Sequence, residues 1–193
     1  MTMNIKLKES ILVSLVFLLF SNLSIASQNY PQIEFTTTSG KFTVELDRNR
    51  APTTVKNFLQ YVESGFYVDT IFHRVIAGFV IQAGGYSVDL ELKETLPEII
   101  NESGNGLTNQ RMSLGMARST DPHTASSQFY INIVDNFSLD PMPTRWGYAV
   151  FGDVIDGFQV INAIASNATQ TMSDMQDVPV APVIILDVKR IDQ

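Results

Sequence analysis

Arg74 and Gln82 are the residues most out of place in this sequence. They lie in Phe72-His73-Arg74-Val75-Ile76-Ala77-Gly78-Phe79-Val80-Ile81-Gln82-Ala83-Gly84-Gly85, two apolar, β-branched runs broken at Ala77-Gly78 and closed by Gly84-Gly85. That pattern predicts two short strands with a bend between them. A cation in such text needs partners, because an unpaired buried charge is too costly to keep. Arg74 is therefore either tied into a structural network or lines a pocket where a ligand completes its bonding. Gln128, inside the strand-like Ser127–Ile133, is a third polar residue of this kind.

Other chemistries lack their residues. The chain has two histidines, His73 and His123, no cysteine and no H-x-x-x-H pair, so no metal site is expected. Gly84-Gly85 does not open a phosphate-binding helix. Ser126 and Ser127 are not in a nucleophile elbow. What remains is a set without acid–base or covalent chemistry: Arg74, Gln82 and Gln128 beside the apolar Phe79, Val80, Tyr130, Leu139 and Tyr148.

These residues need a rigid frame. The 193 residues suffice for one domain with a sizeable core, at 45% apolar and 17% charged content. A net charge of −7 disfavours both nucleic acid and an anionic membrane surface as partners. At the N-terminus, Lys6 and Lys8 precede the apolar stretch Ile11–Phe20, and Ser24-Ile25-Ala26 offers small residues for cleavage. Residues 1–26 are read as a secretory signal peptide and 27–193 as the mature domain. The apolar run is short for a membrane anchor, which needs ~20 residues, so no stable membrane association is expected. An exported domain without cysteine must rely on its core rather than on disulfides.

The mature chain reads as a hairpin (33–37 and 41–46, turning at Ser39-Gly40), then an amphipathic helix from Pro52 with Val55, Phe58, Leu59 and Val62 on one face. Lys56, Asn57, Gln60 and Glu63 fall on the other face. Thr53 or Thr54 is placed to cap this helix and Gly65 to end it. After the two central strands comes a polar excursion, 86–110. Strands follow at 111–118, 127–133, 147–154 and 181–191, with a second helix over 156–165. Eight strands and two helices fit a mainly β fold: a closed eight-stranded antiparallel β-barrel capped by two α-helices, which leaves no sheet edge exposed.

The 72–84 stretch, Met116-Ala117, Ser127-Gln128-Phe129 and Gly147-Tyr148-Ala149-Val150-Phe151-Gly152 together resemble the cyclophilin family of peptidyl-prolyl cis-trans isomerases. The likeness runs from about 30 to 191. Trp146-Gly147-Tyr148 and the leader resemble the exported bacterial members. The resemblance implies isomerisation of X-Pro bonds in exported polypeptides, assisting their folding in the periplasm or beyond it, by a monomer with no cofactor. Its partners would be proline-containing segments of unfolded proteins. A barrel that only binds such segments, without turnover, is the alternative. By position, Arg74 matches the catalytic arginine and Gln82 the glutamine that orients it and the substrate. Phe79, Val80, Tyr130 and Leu139 match the proline pocket. His73, Ala117, Arg118, Gln128 and Tyr148 match the groove for the flanking peptide. Departures from the pattern are Ala77 for Pro, Ala83 for Gly, Val80 for Met, Tyr130 for Phe and Ser138 for Trp. The last implies weak cyclosporin binding.

Overall fold

The computed structural model describes residues 29–191. The expected signal peptide, 1–26, lies outside the described residues. Strands β1 (Gln32–Thr37) and β2 (Gly40–Leu46) form the expected hairpin, with Gly40 in the positive-φ turn position. Phe35 pairs with Phe42 across it, and their rings stack at 4.7 Å. Helix α1 (Pro52–Glu63) follows, then β3 (Thr70–Val75), β4 (Val80–Ser87), β5 (Ser113–Met116), β6 (Phe129–Asn132) and β7 (Val150–Asp156). Helix α2 (Phe158–Ala165), a hairpin of β8 (Thr169–Met172) and β9 (Met175–Pro179), and β10 (Ile185–Arg190) complete the chain.

The sheet order is β10-β1-β2-β7-β5-β6-β4-β3, and every pairing is antiparallel. β3 and β10 complete the circle not by a full ladder but by a short join. Asp69 N donates to Ile185 O at 2.9 Å and Phe72 N to Val183 O at 3.0 Å, around a bridge between Ile71 and Ile184. The fold is thus the mainly β, eight-stranded antiparallel barrel with two helices that the strand count predicts.

The barrel is solid. Phe58 of α1 packs at 5.1 Å from Phe151, 5.5 Å from Phe129 and 5.2 Å from Tyr67, so the helix plugs the core with aromatic rings. Asn57, expected on the wet face of α1, is buried instead, and its Nδ2 donates to Ser126 O at 2.6 Å. The cap also differs from expectation. Ala51 is the N-cap residue and makes no side-chain cap. The Glu102 carboxylate, from the distant excursion, accepts from Thr53 N at 3.1 Å, Thr54 N at 2.8 Å and Thr54 Oγ1 at 2.7 Å. A negative group at the positive end of a helix satisfies orphan N–H groups and complements the dipole. At the other end Gly65 stands at φ +69° just past the cap, as expected.

The hairpin β8–β9 has no counterpart in the sequence pattern. Its text, Thr-Gln-Thr-Met-Ser-Asp-Met-Gln-Asp, is polar, and all of β8 is exposed. Such a hairpin leaves no apolar alternation to read.

Candidate active site

Because the barrel interior is filled, a site has to lie on the outside of its wall. Alternation along the strands divides the work. Ile81, Ala83, Phe129 and Ile131 point into the core. Their neighbours Val80, Gln82 and Tyr130 line an external cavity of about 300 Å³. Register places Arg74 of β3 opposite Gln82 of β4, and Gln82 opposite Tyr130 of β6. Cation, amide and ring therefore form one row across three strands.

The cavity is lined by Arg74, Phe79, Val80, Gln82, Ala117, Arg118, Tyr130, Leu139 and Tyr148. The remaining two residues singled out from sequence, His73 and Gln128, line an adjoining polar cavity of about 360 Å³ that shares Arg74 and Gln82. Gln82 Nε2 donates to Gln128 Oε1 at 2.8 Å, which links the two cavities. Gly85 makes room for this pair: a Cβ there would stand 2.6 Å from the Gln128 side chain. Ala77 and Ala83 cost nothing in backbone terms, since the positive-φ positions are their neighbours Gly78 (+69°) and Gly84 (+86°).

The phenol of Tyr130, unusual in an apolar pocket, has a partner behind it. Its hydroxyl donates to Asn109 Oδ1 at 2.6 Å, and Asn109 Nδ2 in turn donates to Asp140 Oδ1 at 2.8 Å. Asn132 Nδ2 also donates to Asn109 Oδ1, at 3.2 Å, and Asn136 Nδ2 donates to Asn132 Oδ1 at 2.8 Å. Burial pushes the Tyr130 hydroxyl well above the usual phenol range, so it stays a donor. Gly115, opposite Tyr130 in the register, leaves the space the ring occupies; a Cβ at Gly115 would overlap it.

Asn109 belongs to the 86–110 excursion, which is a strap pinned along its length. Leu96 N donates to Tyr61 Oη at 2.9 Å, Asn101 Nδ2 to Gly147 O at 3.0 Å and Asn105 Nδ2 to Val150 O at 2.9 Å. The strap caps α1 with Glu102 and backs the pocket with Asn109.

Across the cavity, the Arg118 guanidinium lies 4.4 Å from the Tyr148 ring centroid, in cation–π contact. It also donates to Gly147 O, Ser119 O, Thr120 O and Trp146 O, fastening the loop that carries Tyr148. His73 is 3% exposed, and burial holds its imidazole down to about 4, so it is neutral at neutral pH. The residue sequence reasoning missed is Asp177 of β9. Its Oδ2 lies 3.7 Å from Arg74 Nε, and no periodicity could have brought the two together. Among the described residues no cluster of three His, Asp or Glu side chains is placed to hold a metal ion.

The chain is a nearly closed antiparallel barrel whose outer wall carries a cavity bordered by an arginine and a glutamine. The model of the family described as "Cyclophilin type peptidyl-prolyl cis-trans isomerase/CLD" matches residues 32–190, and the chain belongs to this family. A peptidyl-prolyl cis-trans isomerase of Streptomyces antibioticus is 48% identical over 160 residues, covering 81% of this chain and 96% of the relative. Peptidyl-prolyl cis-trans isomerase A of Dickeya dadantii is 43% identical over 166 residues, covering 86% of this chain and 87% of its own. The crystal structure of a Cryptosporidium parvum cyclophilin-type isomerase, determined in the presence of the dipeptide Ala-Pro, superposes with a TM-score of 0.68 at 30% identity, over 83% of this chain and 98% of that one. The protein is therefore a peptidyl-prolyl cis-trans isomerase of the cyclophilin type.

Proposed function

We propose that this isomerase acts on X-Pro bonds of exported polypeptides, with Arg74 as the catalytic cation and the external cavity as the seat of the proline ring. The observation that carries the site assignment is the cavity's composition: Arg74 and Gln82 on one side, and Phe79, Val80, Tyr130 and Leu139 on the others. The export reading is supported by the leader-like residues 1–26 and by Trp146-Gly147-Tyr148, which resembles the exported bacterial members.

The chemistry follows from the amide. The barrier to rotation, ~18–20 kcal/mol, is lost resonance. As the C–N bond twists, the proline nitrogen becomes pyramidal and its lone pair becomes available. A guanidinium N–H directed at that lone pair stabilises the twisted state and not the planar ones, which is the condition for catalysis. The apolar walls hold the ring while the preceding carbonyl turns. Gln82 Nε2 is engaged by Gln128, which leaves its Oε1 to accept from a substrate backbone N–H. Bringing turnover from minutes to milliseconds takes ~10⁴-fold or more, about 5–6 kcal/mol. One aimed charged donor and an immobilised ring are adequate sources of this.

Ala117, Arg118, Gln128, His73 and Tyr148 then border the flanking peptide. Ser138 sits in an exposed turn, Phe137–Leu139, and the chain's one tryptophan, Trp146, packs against His123 at 5.2 Å rather than lining the proline cavity. Cyclosporin is expected to bind weakly, since no indole donor borders the ring; nanomolar inhibition in the isomerase assay would contradict this. The test of the site is a cis-trans assay on an Ala-Pro peptide. Arg74→Ala should lose about 10²–10³-fold in kcat/KM. Arg74→Lys should lose most of the activity too, because a point charge does not reproduce a planar donor. Full activity in Arg74→Ala would refute the assignment.

A further inference from the structure

We propose that Asp177, on the β8–β9 hairpin, is the positioning residue that holds the Arg74 guanidinium at the proline site. This rests on Arg74 being the catalytic cation.

Arginine carries several free torsions, and a catalytic donor must be held close to its productive direction. The β4 side of the site does not do this. Gln82, opposite Arg74 in the register, gives its amide N–H to Gln128 at 2.8 Å. Among the described residues, Asp177 is the ion-pair partner of Arg74, with Oδ2 at 3.7 Å from Nε. The contact is on the Nε edge of the planar fork, which leaves the Nη groups for the substrate.

The backbone at Asp177 supports a purpose for the carboxylate. Its φ is +60°, a left-handed conformation inside a strand-forming segment. For a residue with a Cβ this conformation is unfavourable, less so for Asp than for most, and glycine would avoid the cost. The hairpin is nonetheless anchored so that this residue faces Arg74: Val178, next in sequence, is buried. Arg74 also stands between two cavities. One is the proline pocket; the other, on the hairpin side, is bordered by His73, Gln128, Asp174 and Gln176. A guanidinium with no anchor can swing between them. The Asp177 carboxylate fixes one arrangement.

Both side chains are partly exposed, 41% for Arg74 and 37% for Asp177, so the effect is moderate and screened by salt. The test uses Asp177→Asn, which keeps size and tolerance of positive φ; Asp177→Gly, which keeps only the backbone; and Asp177→Glu, which keeps the charge. In Asp177→Asn and Asp177→Gly, kcat should fall about three- to fivefold, with KM and Tm nearly unchanged. Asp177→Glu should recover part of the loss. The ¹Hε–¹⁵Nε NMR signal of Arg74 should shift in Asp177→Asn. The signals of Arg111 and Arg118, whose Nε groups donate to Ile133 O and Gly147 O, should not. An unchanged kcat in Asp177→Asn overturns the proposal whether or not the Arg74 signal moves, as does an unmoved Arg74 signal or a loss that appears only as raised KM and lowered Tm. Arg74→Ala is measured alongside. If it keeps full rate, the site assignment itself fails; if it is inactive while Asp177→Asn is normal, only the role of Asp177 fails.

Discussion

The two flanks of the proposed proline site are built on different principles. The β4–β6 flank is a regular sheet, in which alternation sends Ile81 and Phe129 to the core and Val80, Gln82 and Tyr130 to the ligand. The other parts are loops, the 86–110 strap behind the pocket and the β8–β9 hairpin beside Arg74, held by individual polar bonds from Asn109, Glu102 and Asp177. In the sheet, position follows from register, so one residue's place fixes the next. In the loops each contact is separate, and none is implied by its neighbours in sequence. The chemistry thus sits on the rigid part, while the loops set how that part is backed and aimed.

The comparison breaks most readily at Gly115. If sheet register places the pocket, adding a Cβ against the Tyr130 ring must move the ring or the strand. Gly115→Ala should destabilise the fold by about 1–3 kcal/mol and lower kcat/KM at least severalfold, measured by chemical denaturation and the peptide assay. Wild-type values for both would mean that the pocket does not depend on close packing between β5 and β6.

A second test concerns His73, on the strand that carries Arg74. Its imidazole sits at about 4 when folded against an ordinary value near 6.5, because burial disfavours the charged form. Between those pH values the unfolded chain binds a proton that the folded chain does not. This contribution to stability is therefore fully present above about 6.5 and is lost as pH falls towards 4, with a slope of up to ~1.4 kcal/mol per pH unit. Urea unfolding of wild type and His73→Gln at pH 7 and pH 5 checks it: the variant should lose less stability on acidification.

The smallest effect sharpens the loop side. Glu102→Ala removes the side-chain cap of α1 and should cost about 1 kcal/mol, while kcat/KM stays within about twofold, since Glu102 bonds Thr53 and Thr54 and none of the three lines the cavity. A large loss of activity there would show that the strap governs the site rather than merely backing it.

The same division explains what the sequence revealed. Eight strands and both helices are legible in alternation and helical spacing, whereas the residues lining the cavity come from resemblance to the cyclophilin family, since Phe79, Ala117, Arg118, Leu139 and Tyr148 lie outside the strands and follow no period. Asn57 was misplaced on the wet face because a buried amide with one backbone acceptor looks like any polar residue. The cap went to Thr53 or Thr54 because capping rules are local, whereas Glu102 arrives from far along the chain. The β8–β9 hairpin and Asp177 were invisible because an exposed polar hairpin with a left-handed residue carries no apolar period. How Tyr130 keeps its hydroxyl in an apolar pocket required Asn109 and Gly115, residues unremarkable in sequence.

The central claim is that the sheet flank binds and Arg74 turns over, and one experiment separates the two. An Ala-Pro peptide is titrated into wild type and Arg74→Ala, and cis-trans exchange at the proline is followed by two-dimensional exchange NMR while shifts at Phe79, Tyr130 and Leu139 report binding. The account predicts exchange cross-peaks with wild type and, with Arg74→Ala, saturable shifts at those residues with exchange reduced by about 10²–10³-fold. Exchange at the wild-type rate in Arg74→Ala, or binding without exchange in wild type, would contradict it.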